Sequence, residues 1–128
     1  MVKSKYISDI LELILDGDEN ALCARKQIQF ITDEEFIYTG SGLFVYFSHS
    51  DEIYKYKLAN DFMFLGNVRI KSTEYNLEAD ATLYSKNGLI DNLEIWCYSG
   101  DVYPKRDLTK YTLTQFWKNS PNKIITRK

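Results

Sequence analysis

LEADATLYSKNGLIDNLEIWCY, residues Leu77 to Tyr98, is the stretch that decides the fold. Two runs with strand-type alternation flank Lys86-Asn87-Gly88. That triplet suits a three-residue hairpin loop, a type I turn closed by a left-handed glycine. Such a loop sets Ser85 opposite Leu89. Counting back pairs Ala81 with Leu93, Ala79 with Ile95 and Leu77 with Cys97. These positions are all apolar, so one face of the hairpin belongs to a core. The other face pairs Tyr84 with Ile90, Asp80 with Glu94 and Glu78 with Trp96. Like charges directly opposed across strands are destabilising. A hairpin that keeps Glu78, Asp80 and Glu94 beside Trp96 is therefore a candidate surface for a basic partner.

The chain has 128 residues, 45% hydrophobic and 27% charged, enough to bury one core and too apolar for a disordered segment. Ten Tyr, seven Phe and two Trp lean toward sheet and toward interface. The formal charge is −2, unevenly spread. Lys118, Lys123, Arg127 and Lys128 lie in the last eleven residues, which contain no acid. The body is left with 12 basic against 18 acidic residues, a balance of −6. An acidic body disfavours nucleic acid as a direct ligand and favours a basic partner. The expected organisation is a single α+β domain over 1–117 with a basic, solvated tail over 118–128.

Upstream of the hairpin, Ile7, Ile10, Leu11 and Ile14 recur at helical spacing, so Ser4 to Asp16 is expected as an amphipathic helix. Ser4 is its candidate N-cap and Gly17 its stop. Asp18 is placed to cap a second helix, Glu19 to Lys26, with Leu22 and Cys23 inward. Short strands are expected at Ile28–Ile31 and Phe36–Tyr38. Thr39-Gly40-Ser41-Gly42 reads as a turn, and Leu43–Ser48 as a central strand because it is apolar throughout. His49–Ala59 is polar and irregular. Phe64–Lys71 alternates through Val68 and Ile70, and Tyr111–Trp117 reads as a last strand. Helices followed by strands give an N-terminal helix pair on one face of a mainly antiparallel, twisted sheet.

Four segments, in order, carry a family resemblance: LILDGDEN (13–20), ALCARKQI (21–28), TGSGLFVYF (39–47) and SKNGLIDNLEIWCYSGD (85–101). In this order and spacing the chain resembles small bacterial immunity proteins of polymorphic toxin and contact-dependent growth inhibition systems. The similarity runs from about Ile7 to Tyr111 and is sharpest at Asn87-Gly88-Leu89 followed by Leu93-Glu94. It departs around His49 to Phe62. The resemblance implies a cytoplasmic protein without catalytic activity that binds one cognate toxin and blocks it by occlusion. Such toxins are commonly nucleases, whose basic or metal-bound sites suit an acidic inhibitor. Glu78, Asp80 and Glu94 would then pair with toxin Lys or Arg, while Trp96, Tyr84 and Tyr98 would anchor. No cofactor, metal, membrane or direct nucleic-acid contact is expected, and the free protein is expected to be a monomer.

Other readings attach to the same residues. The hairpin carboxylates could be a solvated face balanced by Arg69 or Lys71. A directly opposed pair also matches the spacing of retaining glycosidases, and Glu78, Asp80 and Glu94 could hold a hard cation. His49, the only histidine, could in principle pair with Cys23 or Cys97, although both cysteines read as buried thiols. Asp33-Glu34-Glu35 and Asp51-Glu52 have ordinary turn composition. Gly40-x-Gly42 has no following helix or Lys-Ser/Thr, so it is not a phosphate loop. Trp117 with the basic tail could touch nucleic acid. Two whole-protein alternatives remain: a small ligand-binding or enzymatic α+β domain with an aromatic pocket, and a protein that self-associates through its last strand.

Overall fold

A computed structural model of the chain describes residues 1–16, 19–100, 102–116 and 123–128. Helix α1 (Lys5–Ile14) and helix α2 (Glu19–Arg25) precede the strands β1 (Ile31–Tyr38), β2 (Gly42–His49), β3 (Phe62–Ser72), β4 (Leu77–Lys86), β5 (Leu89–Gly100), β6 (Tyr111–Gln115) and β7 (Ile124–Arg127). Among the described residues the strands form one antiparallel sheet in the order β1-β2-β5-β4-β3-β6-β7. The architecture is α+β, as the order of helical and alternating segments implies.

The helix α1 forms where its periodicity places it. The Ser4 hydroxyl accepts from the Ile7 amide at 3.2 Å, satisfying one of the orphan donors of the first turn. Tyr6, Ile7, Ile10, Leu11, Leu13 and Ile14 are buried against the sheet. The helix lies over β3, β4 and β6. Ala79 and Ala81, both fully buried on β4, leave room for it. At its C-terminal end, buried Gln115 of β6 donates to the Leu13 carbonyl at 2.7 Å and to the Asp16 carbonyl just beyond the helix at 2.8 Å.

Helix α2 turns differently from its expected face. Ala21 and Ala24 are buried, whereas Leu22 and Cys23 are exposed. The expectation of buried thiols therefore fails at Cys23, and Cys97 is only partly buried. Alanine lets α2 approach closely, which a Leu–Cys face would not. Gly17 and Asp18, the expected stop and cap, lie outside the described residues.

Strand boundaries differ in three instructive places. Residues 28–30 form a 3-10 turn and β1 starts only at Ile31; it includes Asp33-Glu34-Glu35, which read as a turn. Asp33 is buried and accepts the Lys3 and Ser4 amides at 2.7 and 3.0 Å, so one of those acids holds the N-terminus of α1. His49–Ala59 contains a 3-10 helix, Asp51–Tyr56, whose Ile53 is buried. Finally, Ile124–Arg127 pairs with β6 as β7. The expected flexible tail is thus corrected for these residues, which form an edge strand while remaining largely exposed to solvent. Arg127 donates to both carboxylate oxygens of Asp9 at 2.9 and 3.0 Å, and Tyr111 donates to the same carboxylate at 2.6 Å. Lys118 lies outside the described residues.

The hairpin has the expected strands and core face, with a shifted register. Lys86 pairs with Leu89, so the loop is the two-residue Asn87-Gly88. Both take positive φ, 54° and 79°, the left-handed pair of a type I′ turn. A bulge between Tyr84 and Ser85 then makes Asp91 the extra residue, and Ala81 meets Ile95 rather than Leu93. The net slip is even, so the apolar set stays inward. The consequence for the other face is large. Asp80 stands opposite Trp96, Glu94 opposite Thr82, and Glu78 opposite Ser99. The expected carboxylate pair is not formed.

Candidate functional site

The helices cover one face of the sheet. Among the described residues nothing covers the other face, and the strand registers arrange its side chains in rows. One row runs Glu35, Tyr46, Asn92, Tyr84, Phe64 across β1, β2, β5, β4 and β3. The next runs Ile37, Phe44, Glu94, Thr82. A third runs Gly42, Trp96, Asp80, Arg69, Thr114, and a fourth Ser99, Glu78, Lys71, Thr112. Phe62 and Phe116 extend the surface along β3 and past β6. Phe62, Phe64 and Trp96 are 64%, 65% and 56% exposed, and it is their presence together on one face that is informative. Ring pairs Phe44–Tyr46, Phe62–Tyr84, Phe64–Tyr84 and Trp96–Tyr98 all lie 6.4 Å apart, so the aromatics form three groups on this face.

All six sequence-derived site residues lie on this face: Glu78, Asp80, Tyr84, Glu94, Trp96 and Tyr98. Their partners differ from expectation. The Arg69 guanidinium reaches Asp80 at 3.5 Å, and Lys71 stands directly opposite Glu78. Tyr98 donates to Glu78 at 3.1 Å, and Tyr84 donates to Glu94 at 3.2 Å. Burial raises the Tyr84 and Tyr98 hydroxyl pKa values, with Glu94 and Glu78 adding to the effect, so both phenols remain donors at neutral pH. Arg69 also lies 4.7 Å from the Phe116 ring centre and 5.6 Å from that of Tyr98. Arg69 thus balances Asp80 as the solvated-face reading foresees, Lys71 is placed across from Glu78 without an ion pair to it, and the face is more aromatic than acidic.

The sequence pattern does not mark Phe44, Tyr46, Phe62, Phe64 or Phe116 as surface residues. For Phe44 and Tyr46 the unbroken apolar run of β2 masked an alternation, with Leu43, Val45 and Phe47 inward and the aromatics between them outward. For Phe62 and Phe64 the missing signal was Gly66-Asn67. Here β3 bulges, with Asn67 at φ 74°, and the alternation changes phase between Leu65 and Val68. A Gly-Asn pair inside a strand marks such a bulge.

The remaining candidates resolve into structural roles. A nitrogen of the His49 ring donates to the Ile90 carbonyl at 2.6 Å. Gly42 belongs to β2, where a Cβ would stand 1.8 Å from the Ile95 carbonyl oxygen. Among the described residues no three His, Cys, Asp or Glu side chains converge on a metal position, and no helix is long and apolar enough to cross a membrane. Concavities on the open face are small, about 260 Å³ beside Arg69 and Phe116 and about 180 Å³ beside Lys71 and Glu78. On the helix side a hollow of about 230 Å³ is lined by Tyr6, Tyr111, Asp107 and Arg127. Four of its polar side chains are already engaged: Tyr6 shares a 2.8 Å hydrogen bond with Tyr103, Tyr111 and Arg127 hold Asp9, and Asp107 accepts from Ser4 at 2.6 Å. Small-molecule sites are larger, roughly 300–1,000 Å³, with free convergent polar groups.

The fold and this face define an α+β protein whose described residues place helices on one side of the sheet and leave an aromatic surface uncovered on the other. Comparison with known proteins found no matching family model, no matching curated protein and no matching solved structure.

Proposed function

We propose that this chain is an immunity protein that binds a cognate bacterial toxin and neutralises it by occlusion, without catalysis. The observation that carries the reading is the open aromatic face. Exposed Phe62, Phe64, Trp96 and Tyr98 are anchors of the kind that dominate protein interfaces. A helix layer supports them from behind, so the surface is presented rigidly, at little ordering cost. Its slight relief fits a protein partner better than a small molecule. Surrounding charges, Glu35, Glu78, Asp80 and Glu94 against Arg69 and Lys71, supply register rather than bulk attraction. The acidic balance of the chain favours a partner of net positive charge, as expected of a nuclease toxin acting in the cytoplasm.

Co-expression with the products of neighbouring reading frames tests this. One such product should arrest growth alone and be tolerated with this chain. Phe64→Asp and Trp96→Asp, at exposed positions where folding is spared, should each remove the protection. Protection that survives both substitutions would place the function elsewhere.

A further inference from the structure

The carboxylates of the open face are not equivalent. Glu78 stands opposite Lys71 and is bonded by Tyr98, and Asp80 is held by Arg69. Glu94 is different. Among the described residues no Lys or Arg lies within ion-pair distance of it, and its single hydrogen bond is the one from Tyr84 to Oε1, at 3.2 Å. It sits half-buried on β5, an interior strand of the sheet, away from both edges. Phe44 stands directly across on β2, and Trp96 is the next outward residue along the same strand. Cross-strand neighbours of this kind are about 5 Å apart at Cβ. Glu94 is therefore a carboxylate fixed by one phenol, framed by aromatic rings, with Oε2 left to accept.

We propose that Glu94 and its frame of Phe44, Tyr84 and Trp96 form the receptor for one arginine side chain of the partner protein. The proposal rests on the reading of this face as a docking surface and specifies the chemistry at its centre. Charge complementarity selects a cation. The aromatic walls select a guanidinium over an ammonium, because the planar, weakly hydrated group stacks on rings while its N–H fork meets the carboxylate. Closure of the interface around the pair would exclude water, and that is where a charged pair contributes most to specificity. Of the other two hairpin acids, Asp80 would have to exchange Arg69 and Glu78 has Lys71 directly across from it in register, whereas the strand neighbours of Glu94, Phe44 and Thr82, are both uncharged.

The site can be probed without the partner. Titration of the isotopically labelled protein with n-butylguanidinium, followed by NMR, should give saturable shifts at the Trp96 indole and at Glu94. n-Butylammonium should bind at least roughly threefold more weakly, in keeping with the ring contribution. Glu94→Gln, an isosteric change at a partly exposed site, should remove the saturable shifts, and Asp80→Asn should leave them. Saturation that persists in Glu94→Gln, shifts centred on Asp80, or no saturable shift would each overturn the proposal. The broader reading is judged separately by co-expression. If Phe64→Asp abolishes protection and Glu94→Gln does not weaken toxin binding, the arginine receptor falls and the docking face stands. If both variants protect fully, the docking face falls as well.

Discussion

Replacing Gln27 by Leu should destabilise the protein by about 3 kcal/mol, and the structure gives the reason. Gln27 is fully buried between α2 and the hairpin. Its Nε2 donates to the Tyr56 and Gly88 carbonyls, both at 2.9 Å, and its Oε1 accepts the Ile90 amide at 2.8 Å. Three segments thus meet on one amide: the 3-10 helix Asp51–Tyr56, the Asn87-Gly88 turn and the start of β5. Leucine has nearly the same size, so the cavity term is small. The Gly88 carbonyl keeps a second donor, the Leu58 amide at 2.9 Å. That leaves the Tyr56 carbonyl and the Ile90 amide to lose a buried partner, at roughly 1–3 kcal/mol each. Taking the lower half of that range gives about 3 kcal/mol. For a chain of this length the unfolding entropy is about 0.27 kcal/mol/K, so the midpoint should fall by about 11 °C. Thermal unfolding followed by circular dichroism measures it. A fall of less than about 3 °C would refute the reasoning, since it would mean those groups find water or were never paired.

Three further outcomes follow from local geometry. Gly42→Ala places a Cβ 1.8 Å from the Ile95 carbonyl oxygen and should cost about 2–3 kcal/mol in denaturant unfolding, whereas Gly66→Ala, with nothing nearer than 3.8 Å, should be close to neutral. Burial raises the Asp9 carboxyl pKa, but hydrogen bonds from Arg127 and Tyr111 outweigh burial and hold it below the ordinary carboxylate value. A depressed pKa contributes stability that is present above the unfolded value and lost as pH falls through the folded one. Asp9→Asn should therefore flatten the acid limb of the stability profile below about pH 4, and an unchanged limb would contradict the triad. Burial raises Tyr6 and Tyr103 well above their ordinary pKa, and an acid with a raised pKa loses stability above its unfolded value. Ultraviolet titration should therefore show these two phenols ionising only with unfolding, at pH above about 10.

The inward pattern of the fold was legible because it depends on spacing. Ile7, Ile10, Leu11 and Ile14 keep a helical period, and Leu77, Ala79, Ala81 and Leu83 a strand period, and all eight are buried. What escaped depended on single-residue insertions. Asp91 in β5 and the Gly66-Asn67 bulge in β3 each alter pairing by one residue, and alternation alone cannot locate them. The first, together with a turn one residue shorter than expected, moved Glu94 from Asp80 to Thr82. The second turned Phe62 and Phe64 outward. The site residues on the hairpin were still found, because the slip was even and their face was preserved. Strand β7 was missed because four residues of a basic segment, Ile124–Arg127, have little pattern; its place depends on the distant Asp9, which no local window contains.

The central claim is that the uncovered sheet face is where the toxin binds. The most direct measurement is calorimetric titration of the purified toxin into this chain, its Phe64→Asp/Trp96→Asp variant and a control, Leu22→Asp, altered at an exposed position on α2 away from the face. The face variant should lose at least about 100-fold in affinity, as when two anchors are removed, and the control should change little. Equal binding by the face variant, or loss confined to the α2 control, would contradict it.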